Sequence, residues 1–574
     1  MAQTQSPSGT ADYPWLRSYP AGLNWSVALP VTPVAEMLER TVHLHGQRPA
    51  FDFLDQKSSW AEIGDQVNRM ARGLQGLGVG KGVKVGLLLP NSPTFLIAYY
   101  AILKAGGTVV NYNPLYSVKE LQHQIKDSET DILVTLNLTM LCDKVAEILK
   151  ETRLKHVIIG RFTDLLPQPK KILFGLMKKK EIAHIDPAER RIVWLHDLMA
   201  NDGKPEPVNI NPAEDIAVLQ YTGGTTGVPK GAMLTHANII ANTEQAMLWL
   251  GQGGFGEEKM LGVLPFFHVF AMTAVMNMSV HGGFEIIALP RFELKATLKL
   301  IDKKKPTLFP AVPAIYSAIN HFKNVDKYDL TSIRFCVSGG APLPVEVKKE
   351  FERITGCVVV EGYGLTEASP VLSCNPVPGE NRPGSIGLPF PATVIEIIDP
   401  QDRMTPMPPG ERGELCARGP QVMKGYYKQQ NETDNVLING RLHTGDIAIM
   451  DPDGYLYIVD RIKDMIITNG YKVYPRNVEE AIYLHPAIEE CIVAGIPDAV
   501  RGEAVKAWVK LKDGAQATEP ELKAFLEEKV SKMEVPRSIE IRDRPLPKTM
   551  IGKLSRKDIL AEEKAKANGS AEKV

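Results

Sequence analysis

Apolar and polar positions along this chain follow two periods, and the places where one gives way to the other mark its architecture. Across Val34–His45 apolar residues recur every three to four positions, as on a helix with one buried face. Residues 85–90 form a short unbroken apolar run, the texture of a strand covered on both sides. Helix-like and strand-like runs then alternate through about residue 368, at 96–103, 132–135, 156–160, 261–264 and 285–289. This alternation predicts an α/β fold of parallel sheets covered by helices.

From residue 384 to 460 the texture changes to short strands separated by turns such as Pro409-Gly410 and Asp453-Gly454, which predicts a small β-barrel or antiparallel sheet. Beyond Lys463, strands at 491–494 and 505–511 alternate with helices at 478–483 and 519–532, the pattern of a small α+β domain. The boundary falls at 460–464, giving domains 1–462 and 463–574. A chain of 574 residues exceeds one ordinary core, so at least two domains follow from length as well.

Charge narrows the partners. Lys+Arg 66 against Asp+Glu 67 gives a net charge of -1, and no overall field favours nucleic acid. The cysteines Cys142, Cys336, Cys357, Cys374, Cys416 and Cys491 are scattered, without the spacing of a disulfide framework or a zinc site, and read as reduced packing residues. The N-terminus lacks a basic stretch followed by an apolar one, and no apolar run approaches the roughly 18 residues a spanning helix needs. The protein is expected in the cytoplasm, with a charged, small-residue tail at 561–574 that frays.

Candidate chemistry begins at residues 221–236, YTGGTTGVPKGAMLTH, where four glycines, four threonines and Lys230 follow a strand-like stretch. Glycines let amide groups converge on an anion, while threonine hydroxyls and the ammonium add donors and charge. In the Walker loop Gly-Lys-Ser/Thr opens a helix; here Pro229 precedes the lysine and Gly231 follows it. Two further glycine turns cap apolar strands: SGGAPL at 338–343 and EGYGLTEASP at 361–370. Strand ends of this kind are where α/β enzymes bind ligands. Tyr363 offers an aromatic face, Thr366 a hydroxyl and Glu367 a carboxylate able to hold Mg²⁺. Two more segments follow in order, NGRLHTGDIAIMDPDGYLYIVDRIKD at 439–464 and LPKTMIGKLSR at 546–556.

Together, from about residue 31 to 557, these segments resemble the adenylate-forming superfamily of acyl-CoA synthetases, luciferases and peptide-synthetase adenylation domains. The 439–464 stretch is most similar to the signature of fatty acyl-CoA synthetases, and the texture to bacterial long-chain fatty acid CoA ligases. One departure is Arg441, where the family has tryptophan. The resemblance implies that Thr222, Gly223, Gly224, Thr225, Thr226, Gly227 and Lys230 hold phosphates. It assigns Gly339, Gly340, Ala341, Glu361, Gly362, Tyr363, Gly364 and Ile458 to the nucleotide, with Gly339-Gly340 also lining the acyl entrance. Thr366, Glu367 and Lys553 become catalytic, Glu367 and Thr222 hold Mg²⁺, and His268 lies near the acyl carboxylate. Asp446 suits paired ribose hydroxyls, Arg461 ribose or phosphate. Lys463 is the pivot of a mobile C-terminal domain, and Gly470 leaves room for pantetheine.

The implied reaction is the ATP-dependent conversion of a long-chain fatty acid to its CoA thioester through acyl-AMP, with ATP, Mg²⁺ and coenzyme A as participants. The resemblance also admits a ligase for medium-chain or aryl acids, an acyl-AMP ligase serving a carrier protein, a luciferase-like oxygenase and, in its relatives' manner, a homodimer. A non-catalytic ATP-binding scaffold is disfavoured by the presence of Lys230, Glu367, Asp446, Arg461 and Lys553. Separately, PKKILFGLMKKK at 169–180 sets five lysines around an apolar centre, as in a segment that holds a protein peripherally on an anionic membrane face or in a short helix packed on the body.

Overall fold

The computed structural model describes residues 13–186, 189–222, 229–251, 257–377, 379–468, 471–498, 501–549 and 554–571. The chain divides into two compact units, one of Ser18–Val394 with Ala417–Leu442, the other of Met1–Arg17, Ile395–Cys416 and His443–Val574.

In the first unit the unbroken apolar runs become the interior of a seven-stranded sheet. Its order is Ile192–Trp194, His156–Gly160, Ile132–Leu136, Lys84–Leu87, Thr108–Asn111, Ile216–Thr222 and Lys230–Thr235. All pairings are parallel except the last, so the sheet ends in an antiparallel hairpin. Parallel strands need crossovers, and helices supply them. Helix Trp60–Gly76 starts at a capping box in which Ser59 and Glu62 satisfy each other's amides. Helix Pro93–Lys104, predicted only as residues 96–103, is buried over eleven of its twelve residues, which is why its sequence lacks a polar face.

Two four-stranded sheets complete this unit. One joins Lys259–Gly262, Glu285–Ala288, Pro49–Phe53 and Gln56–Ser59; the other joins Phe335–Ser338, Val358–Gly364, Val371–Cys374 and Leu388–Pro389. The apolar run expected as a strand at 261–264 leaves the sheet after Gly262, because the buried Asn91 amide donates to the carbonyls of Gly262 (3.4 Å) and Leu264 (2.8 Å) and accepts from the Phe266 amide (2.8 Å). His268 therefore stands at the start of a helix.

In the second unit, strands Arg441–Met450 and Leu456–Arg461 pair antiparallel within the five-stranded sheet that forms the expected β module. Leu456–Arg461 also packs on helix Pro475–Tyr483, which draws earlier strands into the same unit as the C-terminal residues. That unit's other sheet holds Ile488–Asp498 and Gly502–Leu511, both longer than expected, with Ile466–Thr468, Tyr471–Val473 and Ser538–Arg542. Its core gathers Ile466, Val478, Ile482, Val493, Val505, Val509 and Leu522. Helix Glu519–Glu527 ends five residues before the expected Lys532, and the tail expected to fray continues helix Arg556–Ala571.

Residues 170–177 form helix Lys170–Met177. Phe174 turns inward against Phe162, ring centroids 5.0 Å apart. Ile172, Leu173, Leu176 and Met177 lie exposed on the opposite face, Met177 at 78%. Among the described residues no helix is long and apolar enough to cross a membrane.

Candidate active site

The glycine-threonine loop joins the two strands of the terminal hairpin, with Thr222 paired to Lys230 and Tyr221 to Gly231. Hairpin geometry explains the departure from Gly-Lys-Ser/Thr, since no helix follows whose first amides a phosphate could use. Residues 223–228 lie outside the described residues, and with them Gly223, Gly224, Thr225, Thr226 and Gly227. Lys230, with only 13% of its side chain exposed, pairs with Glu432 and lies 5.2 Å over the Tyr426 ring. The Tyr426 hydroxyl donates to Glu367 Oε1 at 2.6 Å. Burial and the Glu367 carboxylate hold that phenol well above its usual range, so it stays a donor. A cation able to meet phosphate and a carboxylate able to meet Mg²⁺ thus flank one tyrosine.

Glu367 sits in the one-turn helix Thr366–Ala368, which packs against both hairpin strands. The Met423 amide donates to its carbonyl at 2.8 Å, and the Thr273 hydroxyl donates to the Ser369 carbonyl at 2.7 Å. Gly364 allows the strand to bulge just before this turn: a Cβ there would lie 2.0 Å from the Pro370 carbonyl oxygen.

The other predicted turns gather at strand ends. Phe335–Ser338 and Val358–Gly364 are parallel, with Ser338 opposite Glu361, so SGG and EGYG emerge side by side. Glu361 is buried and accepts from the Leu343 amide at 3.2 Å, tying one turn to the other across Ala341. Gly362 and Tyr363 are half-buried, Gly340 exposed. A Cβ on Gly339 would stand 3.1 Å from the Phe270 ring, which places the turn after His268 against the SGG turn. His268 Nδ1 accepts from the Phe270 amide at 3.3 Å and caps that turn. Gln220 Nε2 donates to the Phe267 carbonyl at 2.9 Å and joins the same loop to the end of Ile216–Thr222. The turn is followed by the π-helical segment Met272–Asn277, a local irregularity frequent beside functional sites.

The predicted nucleotide residues of the second unit form their own group. Asp446 and Arg461 are cross-strand partners, with Nε 3.2 Å from Oδ1, and Ile458 pairs with Ala448 on the same strands. Lys463 follows in the one-turn helix Ile462–Asp464. Arg556 anchors that helix: it donates to Asp464 Oδ2 (3.1 Å), Glu479 Oε2 (2.6 Å) and the Val493 carbonyl (3.0 Å). Burial raises the Asp460 and Glu479 carboxyls, and the guanidinium opposes it. Gly470 and Lys553 lie outside the described residues.

Sequence reading missed Glu432, Tyr426 and Asn91, none of which belongs to a contiguous motif, and gave no role to Arg556 at the end of LPKTMIGKLSR. It also missed the buried group Glu414, Cys416 and His443, whose ligand-type atoms lie within 4.8 Å of one another. Glu414 is occupied there by His443 and the Gly445 amide, with the Arg403 guanidinium 3.8 Å away, which makes this a hydrogen-bond cluster rather than a cation site.

The AMP-binding enzyme family matches residues 38–427, and the AMP-binding enzyme C-terminal domain matches 477–553. A long-chain-fatty-acid–CoA ligase of Bacillus subtilis (strain 168) is 45% identical over 96% of this chain and 98% of its own. One of Escherichia coli O6:H1 is 37% identical over 97% and 99%. Among solved structures, the anthranilate CoA ligase AuaEII in complex with anthranoyl-AMP superposes with a TM-score of 0.81 at 25% identity, covering 94% of this chain and 99% of that one. ATP-bound MatB from Rhodopseudomonas palustris gives 0.80 at 27%, covering 92% and 98%.

Proposed function

Because the chain belongs to the AMP-binding enzyme family, we propose that it is a long-chain fatty acid–CoA ligase. It joins the acid to coenzyme A at the expense of ATP, through acyl-AMP. The observation that carries the chemistry is the meeting of Lys230 and Glu367 around Tyr426 beside the glycine hairpin. The full-length likeness to ligases of that printed name supports the acyl class.

A carboxylate is a poor electrophile, so a thiol does not displace its oxygen directly. In the first half-reaction a carboxylate oxygen attacks the α-phosphorus of ATP and the bond to pyrophosphate breaks. In the second, the CoA sulfur attacks the acyl carbon and AMP leaves. Charge on the phosphoryl oxygens calls for positioning and electrostatic stabilisation rather than a protein nucleophile. In this reading Lys230 and the 222–227 loop take the phosphates, Tyr363 and the glycine turns the adenine, and Asp446 with Arg461 the ribose. Lys553 approaches the reacting carboxylate and phosphate, and Lys463 is the pivot between half-reactions. The Thr366 hydroxyl and His268 orient the acyl carboxylate.

Glu367 suits Mg²⁺: Tyr426 fixes one oxygen and leaves Oε2 to face a cation, with the Thr222 hydroxyl on the adjoining hairpin. Bound there, Mg²⁺ would neutralise charge on the triphosphate. The hairpin Ile466–Thr468 and Tyr471–Val473, with Ile467 and Tyr471 exposed, suits the pantetheine side of the second half-reaction. The exposed apolar face of helix Lys170–Met177, flanked by lysines, supports peripheral attachment to the anionic cytoplasmic leaflet.

The test is thioester formation across acids from acetate to oleate-sized chains, with AMP and pyrophosphate counted. The expected outcome is a long-chain optimum with one AMP and one pyrophosphate per thioester. An optimum on short or aryl acids, or acyl-AMP accumulating without thioester, would overturn the substrate assignment.

A further inference from the structure

Asp446 reaches the proposed ribose position from the kink that left-handed Gly445 puts into strand Arg441–Met450, and that kink is stitched to the neighbouring strand Gly413–Arg418 by a side chain with no role in the reading above. Glu414 is buried, its side chain 3% exposed. One of its oxygens meets His443 Nδ1 at 2.7 Å, and the other accepts from the Gly445 amide at 2.9 Å. Gly445 is left-handed, with φ of 75°, so the carboxylate grips the residue at which the chain turns immediately before Asp446. A second tie lies between the two grips: the Thr444 hydroxyl donates to the Leu415 carbonyl at 2.7 Å and accepts from the Asp446 amide at 3.2 Å.

A carboxylate without water costs free energy unless its oxygens are matched, and apolar side chains of similar volume would fill such a space at no such cost. This one is matched by His443 and the Gly445 amide at the kink, with the Arg403 guanidinium 3.8 Å away. His443, 1% exposed, has its Nε2 buried without a hydrogen-bond partner, so its ring is oriented through Nδ1 alone. The arrangement commits a buried carboxyl group and an unpartnered ring nitrogen to holding one kink in a strand.

We infer that Glu414, acting through His443 and Gly445, is a positioning residue that sets the Asp446 carboxylate for the paired ribose hydroxyls of ATP. The inference rests on the proposed ribose role of Asp446. A carboxylate that accepts from two neighbouring hydroxyls needs both oxygens aimed at once, and a shift of about 1 Å is enough to lose the pair. Removing Glu414 therefore weakens the recognition of ribose before it weakens anything else in the nucleotide site.

The experiment compares ATP with 2′-deoxy-ATP in the pyrophosphate-exchange reaction of the full-length enzyme, as the ratio of their kcat/KM values. Asp446→Ala tests the underlying reading and is expected to collapse the discrimination. Glu414→Leu is expected to lower discrimination by at least about tenfold, with the loss falling on ATP and not on the deoxy analogue. Glu414→Gln can keep both contacts if the His443 ring takes its other tautomer, and is expected to restore discrimination to within a few-fold of the wild type. Thr444→Val, isosteric and half-exposed, cuts the second tie with little risk to folding and should shift the ratio the same way. Asp446→Ala that loses discrimination beside folded Glu414→Leu and Thr444→Val enzymes that keep it would overturn the inference alone. Asp446→Ala that keeps it would overturn the ribose assignment and the inference with it.

Discussion

Replacing Lys553 by alanine is expected to slow adenylation by about 10²- to 10³-fold, the loss typical of one preorganised charge at a developing anion. Thioester formation from supplied acyl-AMP should stay within a few-fold of the wild type. The first half-reaction places the fatty carboxylate against phosphoryl oxygens, and a cation there acts mainly in the transition state. The second expels AMP from a carbon already activated and needs no such charge. Lys553 lies outside the described residues, but the chain on either side is anchored. Lys548 and Leu554 form an antiparallel bridge, the Ser555 amide donates to the Pro547 carbonyl at 2.8 Å, and Arg556 is held by Asp464 and Glu479. Truncating the side chain therefore removes a charge and leaves these flanking anchors in place. Pyrophosphate exchange and single-turnover thioester formation measure the two arms separately, and equal loss in both would refute the assignment.

A second large effect is expected at helix Lys170–Met177. Converting Lys178, Lys179 and Lys180 to glutamate should cut binding to vesicles containing anionic lipid by at least about 10²-fold, taking roughly 1 kcal/mol for each lysine near such a surface. Turnover of a dispersed substrate should be unchanged. Lys170 and Lys171 are engaged with Asp55 and Asp164, and Lys178 pairs with Glu181 at 2.5 Å, while Lys179 and Lys180 form no ion pair among the described residues. The free charge therefore lies at the C-terminal end of the exposed apolar face, beside Leu176 and Met177. A membrane surface offers both partners at once, anionic headgroups for the lysines and acyl chains for the apolar residues. Cosedimentation with anionic and zwitterionic vesicles gives the measurement, and unchanged binding of the triple variant would refute the attachment.

What could be read from the sequence was local. Strand His156–Gly160 and helix Val34–His45 have the expected bounds because periodicity and burial agree there. The glycine turns were readable because only a few residue types tolerate such backbone, and Gly364 shows how little room one of them leaves. What escaped notice was the set of partners brought from far along the chain. Lys230 and Glu432 are 202 positions apart, Glu367 and Tyr426 are 59, and no period or spacing links them. The exit of the 261–264 run from its sheet was hidden for the same reason, since Asn91, which holds it, lies some 170 residues earlier. His268 was readable as a candidate but not as a helix cap, a role that depends on where the strand ends. Glu414 belonged to no recognised pattern, and its importance emerges only from the strand kink it holds.

The proposed reaction runs through an acyl-adenylate, and isotope transfer distinguishes that route from any other. A long-chain acid labelled with ¹⁸O in both carboxylate oxygens is turned over with ATP and coenzyme A, and the products are weighed. One labelled oxygen is expected in AMP and none in pyrophosphate, because the carboxylate oxygen that attacks the α-phosphorus leaves with AMP. Label in pyrophosphate or inorganic phosphate, or unlabelled AMP beside labelled thioester, would contradict it.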